Sequence, residues 1–175
     1  NIILFKINNN GVIAKSRNLG IKKASGSFIA FLDSDDWWLP KKIEISLKYL
    51  EKGADIVYHD LFISKKGALK NTRKAKTRSL FLPIFNDLLV NGNALNTSSV
   101  VLQKNIFEDV NLFSEEKKLI AIEDFDAWLK LSTITEKFVR IPQALGYYSV
   151  GIDNTSNPKK TLETIEIFLY RNKKK

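Results

Sequence analysis

The chain has 175 residues, 44% of them hydrophobic and 27% charged, with neither cysteine nor methionine and a net charge of +9. That length suits one domain with a core of ordinary size, and the balance of residue types is that of a globular protein. The missing cysteines exclude disulfides and thiolate metal sites, and no apolar stretch approaches the roughly 18–20 residues of a membrane span.

A cysteine-free composition fits a reducing cytosol, the expected compartment, and no signal-peptide pattern stands at residue 1. The chain opens without methionine on the strand-like "NIILFKI", which reads as an N-terminally truncated protein.

In chain order, "NIILFKI" and "SFIAFL" are dense in β-branched and aromatic residues and predict two short buried strands. Between them "AKSRNLGIKKASG" has helical spacing, with Gly26 as its stop. Strand, helix, strand is the sign of a parallel α/β sheet. Pro40 then opens a helix with Ile43, Leu47 and Leu50 on one face and Gly53 at its end. "ADIVYHDLFI" reads as a strand, and "SLFLPIFNDLLVNGN" as a helix broken near Pro83. Thr97–Gln103 is strand-like. "EDFDAWLKLS" starts a helix with Phe125, Trp128 and Leu129 on one side. "KFVRIPQALGYYSV" supplies one or two further strands, and Thr161–Tyr170 a closing helix.

Much of the positive charge sits in "SKKGALKNTRKAKTR" (Ser64–Arg78) and the final "RNKKK". The plain reading is a solvated loop and tail. The functional readings are an anionic membrane surface or a phosphate-bearing substrate. Nucleic acid is not expected, because the basic run has no aromatic side chains on which bases would stack.

The sharpest local feature is "FIAFLDSDDWWLP", where Asp33, Asp35 and Asp36 follow an apolar run within four positions. Like charges this close repel, and an apolar flank worsens their desolvation. In α/β sheets ligands bind beyond the carboxyl ends of strands. An Asp-x-Asp there offers hard oxygen ligands to Mg²⁺ or Mn²⁺, often shared with substrate phosphates. Capping of the following helix would explain one of the three carboxylates. An EF-hand loop fails, since Trp38 stands where the sharp turn demands glycine.

With these residues in place, "NNNGVIAKSRNLGIKKASGSFIAFLDSDDWWLPKKIE" resembles the core signature of the inverting GT-A glycosyltransferases of the family 2 type. Asn10, Gly11, Arg17, Asn18, Gly20, Ala24, Gly26, Leu32, Asp33, Asp35 and Asp36 fall on that pattern. "EDFDAWLKL" is similar to the family's second signature, and "IPQALGYYSV" to its late strand. The resemblance implies a GT-A (Rossmann-like) three-layer α/β sandwich with a mostly parallel sheet whose first strands are missing. It also implies one domain over 1–175, its nucleotide-binding part about 1–60 and its acceptor-binding part about 61–175.

The activity implied is transfer of a sugar, with inversion, from a nucleotide-sugar donor, a UDP-sugar, to a glycan or lipid-linked acceptor. Asp33 and Asp35 would hold Mn²⁺ or Mg²⁺ against the donor diphosphate, and Arg17 would lie near the nucleotide. Asp124 would be the general base for the acceptor hydroxyl. From the residues alone, Glu123 and Asp124 equally suit the first turn of a helix.

Trp37 and Trp38 would line the sugar cleft, unless they are core. His59, at a strand end beside Asp60, and Glu123 would reach the acceptor. Asn96 lies in "GNALNTSS" (Gly92–Ser99), which is either acceptor-contacting or an ordinary polar loop. A peripheral position at the inner face of the cell membrane is the expected location. The alternatives are a non-catalytic basic module for anionic polymer or lipid, and a metal-dependent phosphohydrolase.

Overall fold

The computed structural model describes residues 2–65, 73–75 and 77–150, together with Leu162, Glu166, Ile167 and Tyr170. Most of the basic run 64–78 and of the expected closing helix 161–170 therefore lies outside the described residues.

Among the described residues six strands form one sheet: β1 (Phe28–Ala30), β2 (Trp37–Trp38), β3 (Ile56–Lys65), β4 (Lys74–Ala75), β5 (Val101–Gln103) and β6 (Phe138–Val150). Their order is β1-β5-β3-β6-β2, and β4 pairs with β3 beside β5. Among these described strands only β3 and β6 run parallel; the other four pairings are antiparallel. The sheet is thus mixed rather than mostly parallel. The expected parallel unit began with "NIILFKI", but residues 2–8 form no strand, and Ile2 and Leu4 are 99% and 91% exposed. An apolar run becomes a strand only where a neighbour accepts its backbone hydrogen bonds, and no described strand does so.

Helix α1 (Ile13–Lys23) buries Ala14, Asn18 and Ile21, one stripe at helical spacing. It starts after a left-handed turn at Asn10 and Gly11, held by the Asn9 side chain accepting from the Gly11 N–H. It stops when Ala24 turns extended, two residues before Gly26, with Lys22 and Lys23 in the last turn complementing the dipole. Helix α2 (Lys42–Leu50) buries Lys42, Ser46 and Leu50, whereas Ile43 is exposed, so its inward face is rotated from the one expected. Helix α3 (Ile84–Asn91) begins only after Pro83, and the four residues before Pro83 are not helical. Helix α4 (Lys104–Asp109) follows β5 directly, without having been anticipated. Helix α5 (Glu123–Leu131) is buried on nearly every side.

Two cores result. Ile56, Tyr58 and Leu102 point to one face with Val12, Leu88 and an aromatic cluster of Phe31, Phe107, Phe113 and Trp128. Val57 and Val101 point to the other, against Leu50, Ile141 and Leu145. This alternation along β3 and β5 is what a sheet covered on both faces requires, giving three layers.

Strand β6 continues through Pro142 because its pairing with β3 slips there: His59 lies opposite Ile141, but Asp60 lies opposite Ala144. Further along, Gly146 faces Trp38 across β2, and a Cβ at Gly146 would stand 2.6 Å from the Trp37 carbonyl oxygen. Only glycine admits β2 this close.

Candidate active site

The acidic turn leaves β1, and its three carboxylates are stabilised in three different ways. The turn closes with the Asp36 N–H donating to the Asp33 carbonyl at 3.1 Å. Asp33 receives the Arg17 Nη2 at 2.7 Å, and its own N–H donates to Ser98 Oγ at 3.0 Å. Asp36 is buried and accepts the Ser149 N–H at 2.8 Å. Burial raises its carboxyl above the usual range, against the hydrogen bonds from Ser98 and Ser149. Asp35 is exposed and makes no hydrogen bond or ion pair among the described residues.

Opposite this turn lies the start of α5. Arg17, whose side chain is 15% exposed, gives its Nη1 to Glu123 Oε1 at 2.7 Å while its other nitrogen holds Asp33. Burial works against the guanidinium charge, but Asp33, Glu123 and Asp124 more than offset it and hold it above its ordinary value. Glu123 is itself buried, and its Oε2 has no hydrogen-bond partner. Asp124 accepts from Thr97 Oγ1 at 3.0 Å and from the Phe125 N–H at 2.7 Å. Burial and the neighbouring Glu123 charge raise the Asp124 carboxyl, with Arg17, Thr97 and Phe125 opposing. Ala121, just ahead of the pair, sits at a left-handed φ of 71°, an uncommon conformation for a side-chain-bearing residue.

The short 3₁₀ turn Thr97–Ser99 ties these parts together. Asn96 caps it by accepting the Ser98 N–H. Thr97 then holds Asp124, Ser98 Oγ accepts from Asp33, and the Ser98 carbonyl accepts the Trp38 indole N–H at 3.0 Å. The strand expected over Thr97–Gln103 therefore starts at Val101, because the preceding residues turn to make these bonds.

Of the residues singled out in the sequence, Arg17, Asp33, Asp35, Glu123 and Asp124 come together. Trp37 is 41% exposed at the same end of the sheet, while Trp38 is partly buried against Ser98. Asn96 acts as a cap. His59 does not reach a cleft: it is fully buried on β3, its Nδ1–H donates to the Asp60 carbonyl, and burial pushes its imidazole down to about 4. Asp60 is bound by both Thr77 and Arg140, whose hydrogen bonds outweigh its burial and hold its carboxyl below the usual range.

Tyr148 was not singled out. It is half-buried on β6, and burial together with the charges of Asp36, Asp35, Asp33 and Asp124 raises its phenol. The paired tyrosines of "GYYSV" were its only trace in the sequence.

Among the described residues no group of three His, Cys, Asp or Glu side chains forms a metal cage. Mg²⁺ and Mn²⁺ are commonly held by one or two carboxylates with substrate phosphates completing the shell. The unpartnered Asp35 and the second oxygen of Asp33 fit that mode.

The sequence matches the model of glycosyl transferase family 2 over residues 1–109. The chain belongs to this family. An uncharacterized glycosyltransferase of Methanocaldococcus jannaschii is 30% identical over 97% of this chain and 57% of its own length. The amylovoran biosynthesis glycosyltransferase AmsB of Erwinia amylovora is 28% identical over 85% of this chain and 50% of its own. Among solved structures, S. aureus TarS 1–349 superposes with a TM-score of 0.64 at 16% identity, covering 95% of this chain and 46% of that one. The likeness supports the GT-A fold. The family 2 chain described here spans about half the length of these proteins.

Proposed function

We propose that this chain carries the catalytic centre of a glycosyltransferase that moves a sugar from a UDP-sugar to a glycan or lipid-linked acceptor with inversion. The observation that carries this reading is Arg17 bonded to Asp33 and Glu123 at once, which sets the Asp-x-Asp-Asp turn against the start of α5. Two comparisons support it. TarS has been crystallised in complex with UDP, with a TM-score of 0.61 and 18% identity. An E. coli relative, 31% identical over 67% of this chain and 43% of its own length, is named a UDP-Glc:alpha-D-GlcNAc-diphosphoundecaprenol beta-1,3-glucosyltransferase.

In this reading Asp33 and Asp35 hold Mn²⁺ or Mg²⁺, which when bound neutralises the diphosphate and stabilises the departing nucleotide. Arg17 holds Asp33 in place and adds a fixed positive charge beside the phosphates. Asp124 takes the proton from the acceptor hydroxyl, and its raised carboxyl makes it a better base than an ordinary aspartate. Thr97 orients that carboxyl. Trp37 offers an aromatic face to the sugar.

The excess positive charge favours a peripheral stay at an anionic membrane where a lipid-linked acceptor resides. Among the described residues no helix is long and apolar enough to cross a membrane.

The test is release of UDP from a panel of UDP-sugars with Mn²⁺ and a bacterial lipid extract, in the native chain and in Asp124→Asn. Acceptor-dependent release that drops at least about a hundredfold in the variant, with UDP still bound, is expected. Equal release by both proteins would remove Asp124 as the base.

A further inference from the structure

Lys42 opens α2 and is fully buried, the single lysine in the interior among the described residues. Its Nζ stands 3.7 Å from the centre of the Trp38 ring and has no hydrogen-bond partner. One turn further along α2, the Ser46 hydroxyl is likewise buried and unpartnered. On β3, within reach of the Lys42 charge, is His59. Its Nδ1–H is committed to the Asp60 carbonyl, so its buried Nε2 is a bare acceptor, also unpartnered. Asp60, next to His59 on β3, is bound to Arg140 of β6. On this side of the sheet β5 and β6 contribute Val101, Ile141 and Leu145 to an apolar cluster, and the polar Gln103 of β5 is bound to Asp55.

A lysine in such a place is unusual. Long cationic side chains normally run their stems along apolar surface and keep the ammonium in water. Here the ammonium has exchanged water for the face of an indole, and a cation over an aromatic ring is attracted most strongly when both are desolvated. That indole is no bystander: its N–H holds the Ser98 carbonyl, and Ser98 Oγ holds the backbone of Asp33. The contacts therefore run unbroken from Lys42 to the acidic turn.

We propose that Lys42 is a positioning residue of the donor site, its ammonium clamping Trp38 against the Thr97–Ser99 turn and so fixing the Asp33–Asp36 turn, and that losing its proton releases the clamp. This rests on the nucleotide-sugar reading of that site. Burial with no charge to offset it pushes Lys42 down to about 7, so release falls within the working range of pH. His59, held down to about 4, stays neutral throughout that range.

The experiment uses the full chain labelled with 5-fluorotryptophan, with the Trp38 resonance assigned through Trp38→Phe and followed by ¹⁹F NMR from pH 6 to pH 9. The Trp38 signal is expected to titrate with one midpoint near 7. The titration should vanish in Lys42→Met, which keeps the stem and removes the charge, and persist in Lys48→Met on the exposed side of the same helix. UDP affinity in the presence of Mn²⁺ is then compared at both ends of the range. At pH 6 the Lys42→Met chain should bind about tenfold more weakly than the native one, and by pH 9 the two should converge.

A Trp38 signal that stays flat in the native chain, or titrates unchanged in Lys42→Met, overturns the proposal. An affinity ratio equal at both pH values does so too, since a merely structural lysine would give that result. If the native chain binds no UDP at any pH, the nucleotide-sugar reading fails, and the fluorine titration alone decides whether Lys42 clamps Trp38.

Discussion

Arg17 donates to Asp33 and to Glu123 at the same distance, 2.7 Å, although these partners lie 16 and 106 positions away in the chain. A single guanidinium thereby fixes the spacing of two acidic motifs, and a planar fork is the one cationic group able to serve two carboxylates in this manner.

Removing Arg17 strands the buried Glu123 without a counter-charge. Arg17→Ala should cost about 3 kcal/mol of stability, as expected when one partner of a buried pair is lost. Denaturant unfolding checks this. The exposed Glu44–Lys48 pair on α2 serves as control, and Lys48→Ala should leave the unfolding midpoint close to that of the native chain.

As the proposed base, Asp124 with its raised carboxyl should set the acid limb of the rate profile. The base works only when ionised, so activity should rise with pH through a midpoint above that of an ordinary aspartate. Thr97 donates to the ionised form and so lowers that midpoint. Thr97→Val should therefore move the limb upward while leaving its shape intact. A pH–rate profile of each protein decides it.

Two glycines should respond in opposite directions. At Gly146 a new Cβ would meet the Trp37 backbone oxygen at 2.6 Å and Leu61 Cδ2 at 3.0 Å. Gly146→Ala should cost about 1–3 kcal/mol and displace β2. At Gly20, inside α1, a Cβ meets nothing within 4 Å. Gly20→Ala should stabilise by about 0.5–1 kcal/mol through helix propensity. Thermal unfolding of the two variants separates them.

These residues also mark how far the sequence could be read. Asp33, Asp35 and Asp36 were legible because their meaning is local: three carboxylates at the end of an apolar strand. The helices α1 and α5 followed from spacing. What escaped depends on partners far away in the chain. The strand character of residues 2–8 needs a neighbour that no described strand supplies. Strand β2 is two tryptophans whose pairing is permitted by Gly146. His59 reads in the sequence as a residue at a strand's end, but its strand continues to Lys65 and its ring is buried in the interior. The polar stretch Gly92–Ser99 could be read either way until Thr97 and Ser98 were seen to bind Asp124 and Asp33.

Acid should weaken the fold through His59. Its folded value of about 4 lies below the ordinary 6.5, so the unfolded chain takes up a proton first. The stability it contributes is complete above pH 6.5 and is lost as pH falls from 6.5 to about 4, at most about 3 kcal/mol. His59→Gln should flatten that part of the pH–stability curve, measured by urea unfolding.

The most direct test of the donor site is a titration of Mn²⁺ against tryptophan fluorescence, with and without UDP, in the native chain and in Asp35→Asn. Trp37 and Trp38 adjoin the acidic turn and report on it. Quenching that tightens when UDP is present and disappears in Asp35→Asn is the expected result. Quenching of equal strength with and without UDP, or unchanged in the variant, would contradict a shared metal and nucleotide site at Asp33 and Asp35.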